Sequence, residues 1–274
     1  MYNLKITWGG EMWIIQNNLN FEVGIDNIKT ILKNNNIELV EIDIYKNDEN
    51  MYLKDTFNKF EPIDTSNIFV LGSYRLSRMA TERGFYPGSF SNDNFNYASW
   101  TQYWTKENML NGEYLKQKVT EIKIPDHWES VFARPLEDDK LITGGLFKKE
   151  DLLMALETKV TDIHKDKYLI LSEPKTILAE YRFFVVDKKV ITGSLYKIRG
   201  QLITSDAVDP EAMLYAQKMI DLWTPSDAFV IDIALTDKGP KIIEVNNISS
   251  AGLYKSDVLK LVVSMENLLQ KIQS

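Results

Sequence analysis

The stretch Phe229-Val-Ile-Asp-Ile-Ala-Leu-Thr-Asp-Lys-Gly-Pro-Lys-Ile-Ile-Glu-Val-Asn246 constrains this 274-residue chain more than any other. Two runs rich in Ile and Val flank Thr236-Asp-Lys-Gly-Pro240, so the segment reads as a β-hairpin. Successive side chains of a strand alternate faces, which puts Glu244 and Asn246 on one side and Ile243 and Val245 on the other. With Lys238 at the centre of the turn, Asp232 lies opposite Glu244, and cross-strand neighbours are about 5 Å apart. Two carboxylates and an amide oxygen then crowd one face. Like charges placed opposite each other destabilise a sheet, so the arrangement calls for a cation. Oxygen ligands suit Mg2+, which takes one or two carboxylates together with phosphate oxygens, and Mn2+ accepts a similar set. The competing reading is an acidic face that simply stays hydrated. Ile231, Ile233, Ile242 and Ile243 imply packing on the other side and favour the metal.

Composition removes several function classes. Hydrophobic residues make up 44% and charged residues 26%, as in ordinary globular proteins. No run approaches the roughly 18 apolar residues of a membrane helix, and Met1 to Gly10 lack the apolar core of an export signal. The absence of cysteine excludes disulfides, thiolate zinc sites and a cysteine nucleophile, and it fits a cytoplasmic protein. A net charge of −7 argues against nucleic acid as a partner, since such binding needs a basic face. No Gly-x-Ser-x-Gly elbow, P-loop or Gly-x-Gly-x-x-Gly fingerprint occurs, and His127 and His164 have no partner at metal or triad spacing.

Hydrophobic periodicity predicts alternating strands and helices in the first third. The strands are Leu4 to Trp8, Ile37 to Tyr45 and Asn67 to Leu71, and the helices are Ile25 to Asn35 and Tyr74 to Arg83. Gly84 to Asn96 reads as an ordered loop and Ala98 to Leu110 as a helix, with Trp100, Tyr103 and Trp104 in its core-facing stripe. From about Ile122 short strands dominate: Ser130 to Arg134, Tyr168 to Ser172, Ile177 to Val186 and Val190 to Tyr196. A helix over Pro210 to Leu222, the hairpin, and an amphipathic helix over Ser256 to Ile272 complete the pattern.

Asp232, Ile242-Ile-Glu-Val-Asn246 and Ser249-Ser-Ala-Gly-Leu-Tyr254 together resemble the terminal motif of the ATP-grasp superfamily. The resemblance extends through Val131-Phe-Ala-Arg-Pro135, Leu169-Ile-Leu-Ser-Glu173 and Glu180-Tyr-Arg-Phe-Phe-Val-Val186, covering roughly residues 120 to 274. It is strongest to a bacterial and phage branch sharing an Arg-Pro, a later Lys-x-x-Thr-Gly and a Glu-x-Arg strand. It implies an α/β (α+β) ATP-grasp fold. Residues 1–121 would form a small N-terminal α/β domain and residues 122–274 the ATP-grasp domain, divided into a nucleotide-binding part (122–175) and a metal-binding part (176–274).

The same resemblance assigns residues. Asp232, Glu244 and Asn246 would hold Mg2+ on the phosphates of ATP. Relatives carry a lysine before proline on an early strand; here Arg134 stands in that place and Lys140 follows, so either does the lysine's work. Thr143 and Gly144, followed by Gly145, would form a flap over the phosphates. The backbone around Leu171 would read the adenine edge and Glu173 the ribose. Glu180 and Arg182 share one face of their strand, opposite Tyr181 and Phe183. Arg182 would lie near the transferred phosphoryl group, with a salt bridge to Glu180 as the plainer alternative. On the next strand Lys197 and Arg199 share a face with Leu195, and one of them points into the cleft. Ser249, Ser250 and Gly252 would position substrate, while Ser73 and Arg75, at a strand-to-helix junction, are further substrate-site candidates.

The implied activity is an ATP- and Mg2+-dependent ligase joining a small-molecule or peptide carboxylate to an amine through an acyl phosphate, with no membrane partner. A kinase of the same fold and a non-catalytic nucleotide-binding module are its rivals.

Overall fold

A computed structural model describes residues 12–19, 24–136, 141–142 and 144–273. The strand expected over Leu4 to Trp8 lies outside them. The first sheet is built from β1 (Met12–Gln16), β2 (Glu38–Asp43), β3 (Tyr52–Leu53), β4 (Ile68–Leu71) and β5 (Pro87–Gly88), in the order β3-β2-β1-β4-β5. Helix α1 (Ile25–Asn34) links β1 to β2, and α2 (Tyr74–Glu82) follows β4. β1 pairs in parallel with both β2 and β4. Its sequence, Met-Trp-Ile-Ile-Gln, is an apolar run because both faces are covered: Trp13 and Ile15 pack on the α1 side, Ile14 on the α2 side.

The helix expected over Ala98 to Leu110 stops early. Only α3 (Tyr97–Trp100) forms, followed by turns and a 3-10 turn over Lys106–Asn108. Docking overrides helical spacing here. Trp104 is fully buried, with its Nε1 donating to the Met219 carbonyl at 3.0 Å, and the Leu110 N–H donates to the Ile242 carbonyl at 2.8 Å. A continuous helix could not meet both partners. Trp100 and Trp104 are core, as expected, whereas Tyr103 is exposed and stacks on Trp223.

A second, antiparallel sheet has the order β6-β9-β7-β8, from β6 (Leu115–Lys118), β7 (Ser130–Pro135), β8 (Gly145–Lys148) and β9 (Tyr168–Ser172). Helix α4 (Lys149–Lys159) covers it through Leu152 and Leu156. The third sheet has the order β12-β11-β10-β13-β14, from β10 (Ile177–Val186), β11 (Lys189–Ile198), β12 (Gln201–Ser205), β13 (Ala228–Thr236) and β14 (Gly239–Asn247). On one face lies α5 (Pro210–Leu222), whose first turn is capped by Asp209 and begins with proline. On the other lies α6 (Val258–Gln273), where Phe184 and Val230 meet Leu261, Met265 and Leu269. Phe183, Phe184 and Phe229 are fully buried, and truncating any one to alanine costs about 3–5 kcal/mol.

α6 also packs on α1, and the Trp13 Nε1 donates to Glu266 at 2.6 Å, so one continuous core joins the parallel sheet to the third sheet. That core brings the C-terminal ends of β1 and β4 against the loop after β14: the Gly72 N–H donates to the Ser249 carbonyl at 2.9 Å. Among the described residues no helix is long and apolar enough to cross a membrane.

Candidate active site

One register row crosses the third sheet: Ser194 on β11, Arg182 on β10, Asp232 on β13 and Glu244 on β14. The expected pairing of Asp232 with Glu244 is present, but by a different route. The turn is tighter than expected, with Thr236 paired to Gly239 and Gly239 at φ +86°. A bulge between Asp232 and Ile233 then shifts the register by one and brings Glu244 opposite Asp232. The extra residue is Ile243. Its side chain lines the cleft instead of packing opposite Glu244, while Ile242 and Val245 face the α5 core.

Arg182 is bound by Asp232, not by Glu180. Its Nε donates to Oδ1 at 2.9 Å and its Nη2 to Oδ2 at 2.7 Å, a two-point fork with both groups almost out of solvent. Burial alone would lower the guanidinium pKa; the Asp232 carboxylate outweighs it and the net shift is upward. Glu180 instead accepts from the Tyr196 hydroxyl at 2.8 Å and lies 3.5 Å from the Lys197 ammonium. Tyr196 and Tyr254 stack with centroids 5.2 Å apart, and Arg182 sits beside both rings at 5.5 and 5.2 Å. Burial, then Asp232 and Glu180, push the Tyr196 phenol well up, so it serves as a donor. Tyr254 holds φ +49°, a left-handed backbone that bulky residues rarely adopt. No sequence signal marks this tyrosine pair.

Glu244 stands at the floor of the cleft with its side chain 36% exposed. Its Oε1 accepts from Asn246 Nδ2 at 3.1 Å, and its Oε2 lies 3.9 Å from Arg134. Burial and the neighbouring Asp232 push its carboxyl up, and Arg134 and Asn246 only partly offset them. This is the signature of a carboxylate lacking a full counter-charge, and it passes the test for a divalent cation: a hard-oxygen set that carries more negative charge than its surroundings balance. Glu244 and Asn246 face the cleft, whereas both Asp232 oxygens are engaged by Arg182. Among the described residues no three His, Cys, Asp or Glu side chains cluster; the third oxygen donor here is an amide.

The cleft has a volume of about 1530 Å3 and runs between the second and third sheets. Arg134, Gly144, Glu180, Lys197, Arg199, Glu244, Asn246 and Ser250 all line it. Both Lys197 and Arg199 do so, not one of them. Leu195 does not share their face: β11 is bulged at Tyr196, which turns Leu195 to the α5 core and both Tyr196 and Lys197 to the cleft. Lys140 and Thr143 lie outside the described residues. Leu171 is buried within the ladder between Leu115 and Ala133 and does not line the cleft, and Glu173 stands at its margin, 3.4 Å from the lining Lys175. Arg75 turns away to the Asp48 carbonyl and Glu49. Gly252 sits behind Arg182, where an added Cβ would come within 3.5 Å of Nη1. Ser73, Ser249 and Ser250 meet around a separate pocket of about 80 Å3.

Solved structures share this fold. D-alanine–D-alanine ligase from Bacillus anthracis complexed with ATP has 15% identity and a TM-score of 0.63, over 96% of this chain and 98% of that one. The ATP-grasp ligase PsnB complexed with a minimal precursor has 10% identity and a TM-score of 0.54, over 96% and 99%. A RimK domain ATP-grasp protein from Sphaerobacter thermophilus has 12% identity and a TM-score of 0.55, over 94% and 96%. No curated protein matches the chain. Residues 112–262, more than half of its length, match the model of an ATP-grasp domain family, the second family of its clade, and the chain belongs to that ATP-grasp family.

Proposed function

We propose that this protein is a ligase that uses ATP to join a carboxylate to an amine. The carrying observation is the Arg182–Asp232–Glu244 row at the floor of a nucleotide-sized cleft rimmed by Arg134 and Lys197. ATP lies between the second and third sheets, in two units whose division we place ahead of Leu115, because β6 completes the second sheet. Glu244 and Asn246, with Asp232 behind them, hold a Mg2+ ion, which supplies charge neutralisation to the phosphates when bound.

A substrate carboxylate oxygen attacks the γ-phosphorus; the bond to the β–γ bridging oxygen breaks and ADP leaves with its electron pair. The amine lone pair then forms the C–N bond, the acyl C–O bond breaks, phosphate departs, and the amine proton goes to solvent. Arg182 and Arg134 stabilise charge on the transferred group. Asp232, Tyr196 and Tyr254 hold the Arg182 guanidinium in place and keep water from it. Lys140, Thr143 and Gly144 close over the phosphates, and Glu173 takes the ribose. The donor and acceptor enter beside Ser250 and Gly252. ATP as co-substrate places the enzyme in the cytoplasm.

Incubation with ATP, Mg2+, hydroxylamine and a panel of carboxylic and amino acids tests this. ADP release with an acyl hydroxamate is expected. ADP release with a phosphorylated hydroxyl and no hydroxamate would make it a kinase, and no nucleotide binding would make it neither.

A further inference from the structure

The small pocket is distinct from the nucleotide cleft and sits where the parallel sheet reverses its strand order. β1 pairs with β2 on one side and β4 on the other, so the crevice beyond the C-terminal ends of β1 and β4 is a topological switch point, the place where open α/β sheets bind ligands. Leu19 and Leu71 from the two strand ends line it, and Leu253 and Ser249 from the loop after β14 roof it.

Two independent features give its polar end a sign. The nine-residue α2 begins at Ser73, and its N-terminus opens on the pocket with partial positive charge. Opposite, Ser249 is 2% exposed and its Oγ has no hydrogen-bond partner. A buried hydroxyl left unsatisfied is costly, and an anion arriving there would remove that cost. The other walls are aliphatic. At about 80 Å3, and with a water occupying roughly 30 Å3, there is room for a carboxylate and one or two methyl-sized groups. Ser250 lines both this pocket and the cleft, so a group extending past it enters the reaction site.

We infer that this pocket holds the amine substrate, and that the amine substrate is a free α-amino acid with a short aliphatic side chain. Its carboxylate lies between Ser249 Oγ and the start of α2, its side chain against Leu19, Leu71 and Leu253, and its amine past Ser250. The assignment rests on the ligase reading for the fate of the amine, but the binding itself does not.

Calorimetric titration of the full chain, with and without a non-hydrolysable ATP analogue, tests it with alanine of either hand, valine, phenylalanine and alaninamide. Alanine or valine is expected to bind, phenylalanine to be rejected, and alaninamide to bind at least about tenfold more weakly, because it lacks the charged hydrogen-bond acceptor. Ser249→Ala is expected to weaken alanine by a similar factor, and Ser249→Val, which fills the pocket, to abolish it. Absence of binding by both alanine and valine, equal binding of alaninamide, or an unaltered affinity in Ser249→Ala would overturn the assignment. Binding of the ATP analogue, read in the same titrations, reports on the cleft separately.

Discussion

Arg182 and Asp232 face each other across β10 and β13 and are joined by two parallel hydrogen bonds of 2.9 and 2.7 Å, with side chains 11% and 1% exposed. Such a pair contributes little net stability over a hydrophobic replacement, but removing one partner strands a buried charge. Asp232→Leu alone is therefore expected to lower unfolding stability by about 3–5 kcal/mol. The double change Arg182→Met with Asp232→Leu is expected to recover most of that loss in urea titrations while ATP turnover stays abolished. Recovery of turnover in the double variant would remove the pair from catalysis.

The Tyr254 ring reaches Arg182 only because its backbone holds φ +49°. That conformation costs a tyrosine on the order of 1 kcal/mol or more, and it costs a glycine nothing. Tyr254→Gly trades relief of strain against loss of ring packing, so its urea midpoint is expected to stay within about 1 kcal/mol of the parent. Turnover is expected to fall at least tenfold, through kcat more than KM for ATP, because the guanidinium is no longer held. Tyr254→Phe, which keeps the ring, is expected to restore most of it. If the glycine variant keeps full kcat, Tyr254 does not position Arg182.

Much of this fold is legible in the sequence because its strands are apolar runs bounded by turns. The residues of β9, β10 and β13 stand out for that reason, and alternation sets Asp232 opposite Glu244. The register reaches that pairing through two deviations that cancel, a tight turn at Gly239 and a bulge at Ile243, and alternation alone detects neither. The bulge at Tyr196 is equally hidden, so alternation puts Leu195 on the wrong face. Aromatics at helical spacing, Trp100 and Trp104, signal burial but not a long helix, since their partners on α5 and β14 are distant in sequence. The meeting of Ser73 with Ser249 depends on α6 docking between two sheets, a tertiary event with no local trace.

Away from the cleft, Glu41 on β2 takes three ammonium groups: Lys33 at 2.8 Å, Lys29 at 3.0 Å and Lys54 at 3.1 Å. Burial would raise its pKa, but the three lysines outweigh burial and hold it at about 2. A carboxyl lowered on folding adds stability above its unfolded pKa, near 4.3, and loses it as pH falls towards 2. The shift corresponds to about 3 kcal/mol at most; screening of the exposed Lys33 and Lys54 reduces this to about 1–2 kcal/mol. Glu41→Gln is expected to be less stable by that amount at pH 7. The gap between variant and parent should close between about pH 4.5 and 2, followed by urea unfolding at each pH. A gap independent of pH would assign the loss to packing.

Glu244 is the opposite case, a carboxylate whose surroundings disfavour its charge. Asp232 lies across the strand pair, and Arg134, at 3.9 Å, is too distant to compensate fully. Such a group opposes stability at neutral pH and persists where a ligand uses its charge. Glu244→Gln keeps the shape and the bond from Asn246 to Oε1 but removes the repulsion, so stability without metal is expected to rise by up to about 1 kcal/mol. In the same variant ATP turnover is expected to fall at least about a hundredfold, and the gain in thermal stability that Mg2+ with an ATP analogue gives the parent should largely vanish. These two effects have opposite signs only if the charge of Glu244 acts on a bound cation and not within the fold. A variant that loses stability and keeps its Mg2+ response would place Glu244 among the structural residues of the sheet.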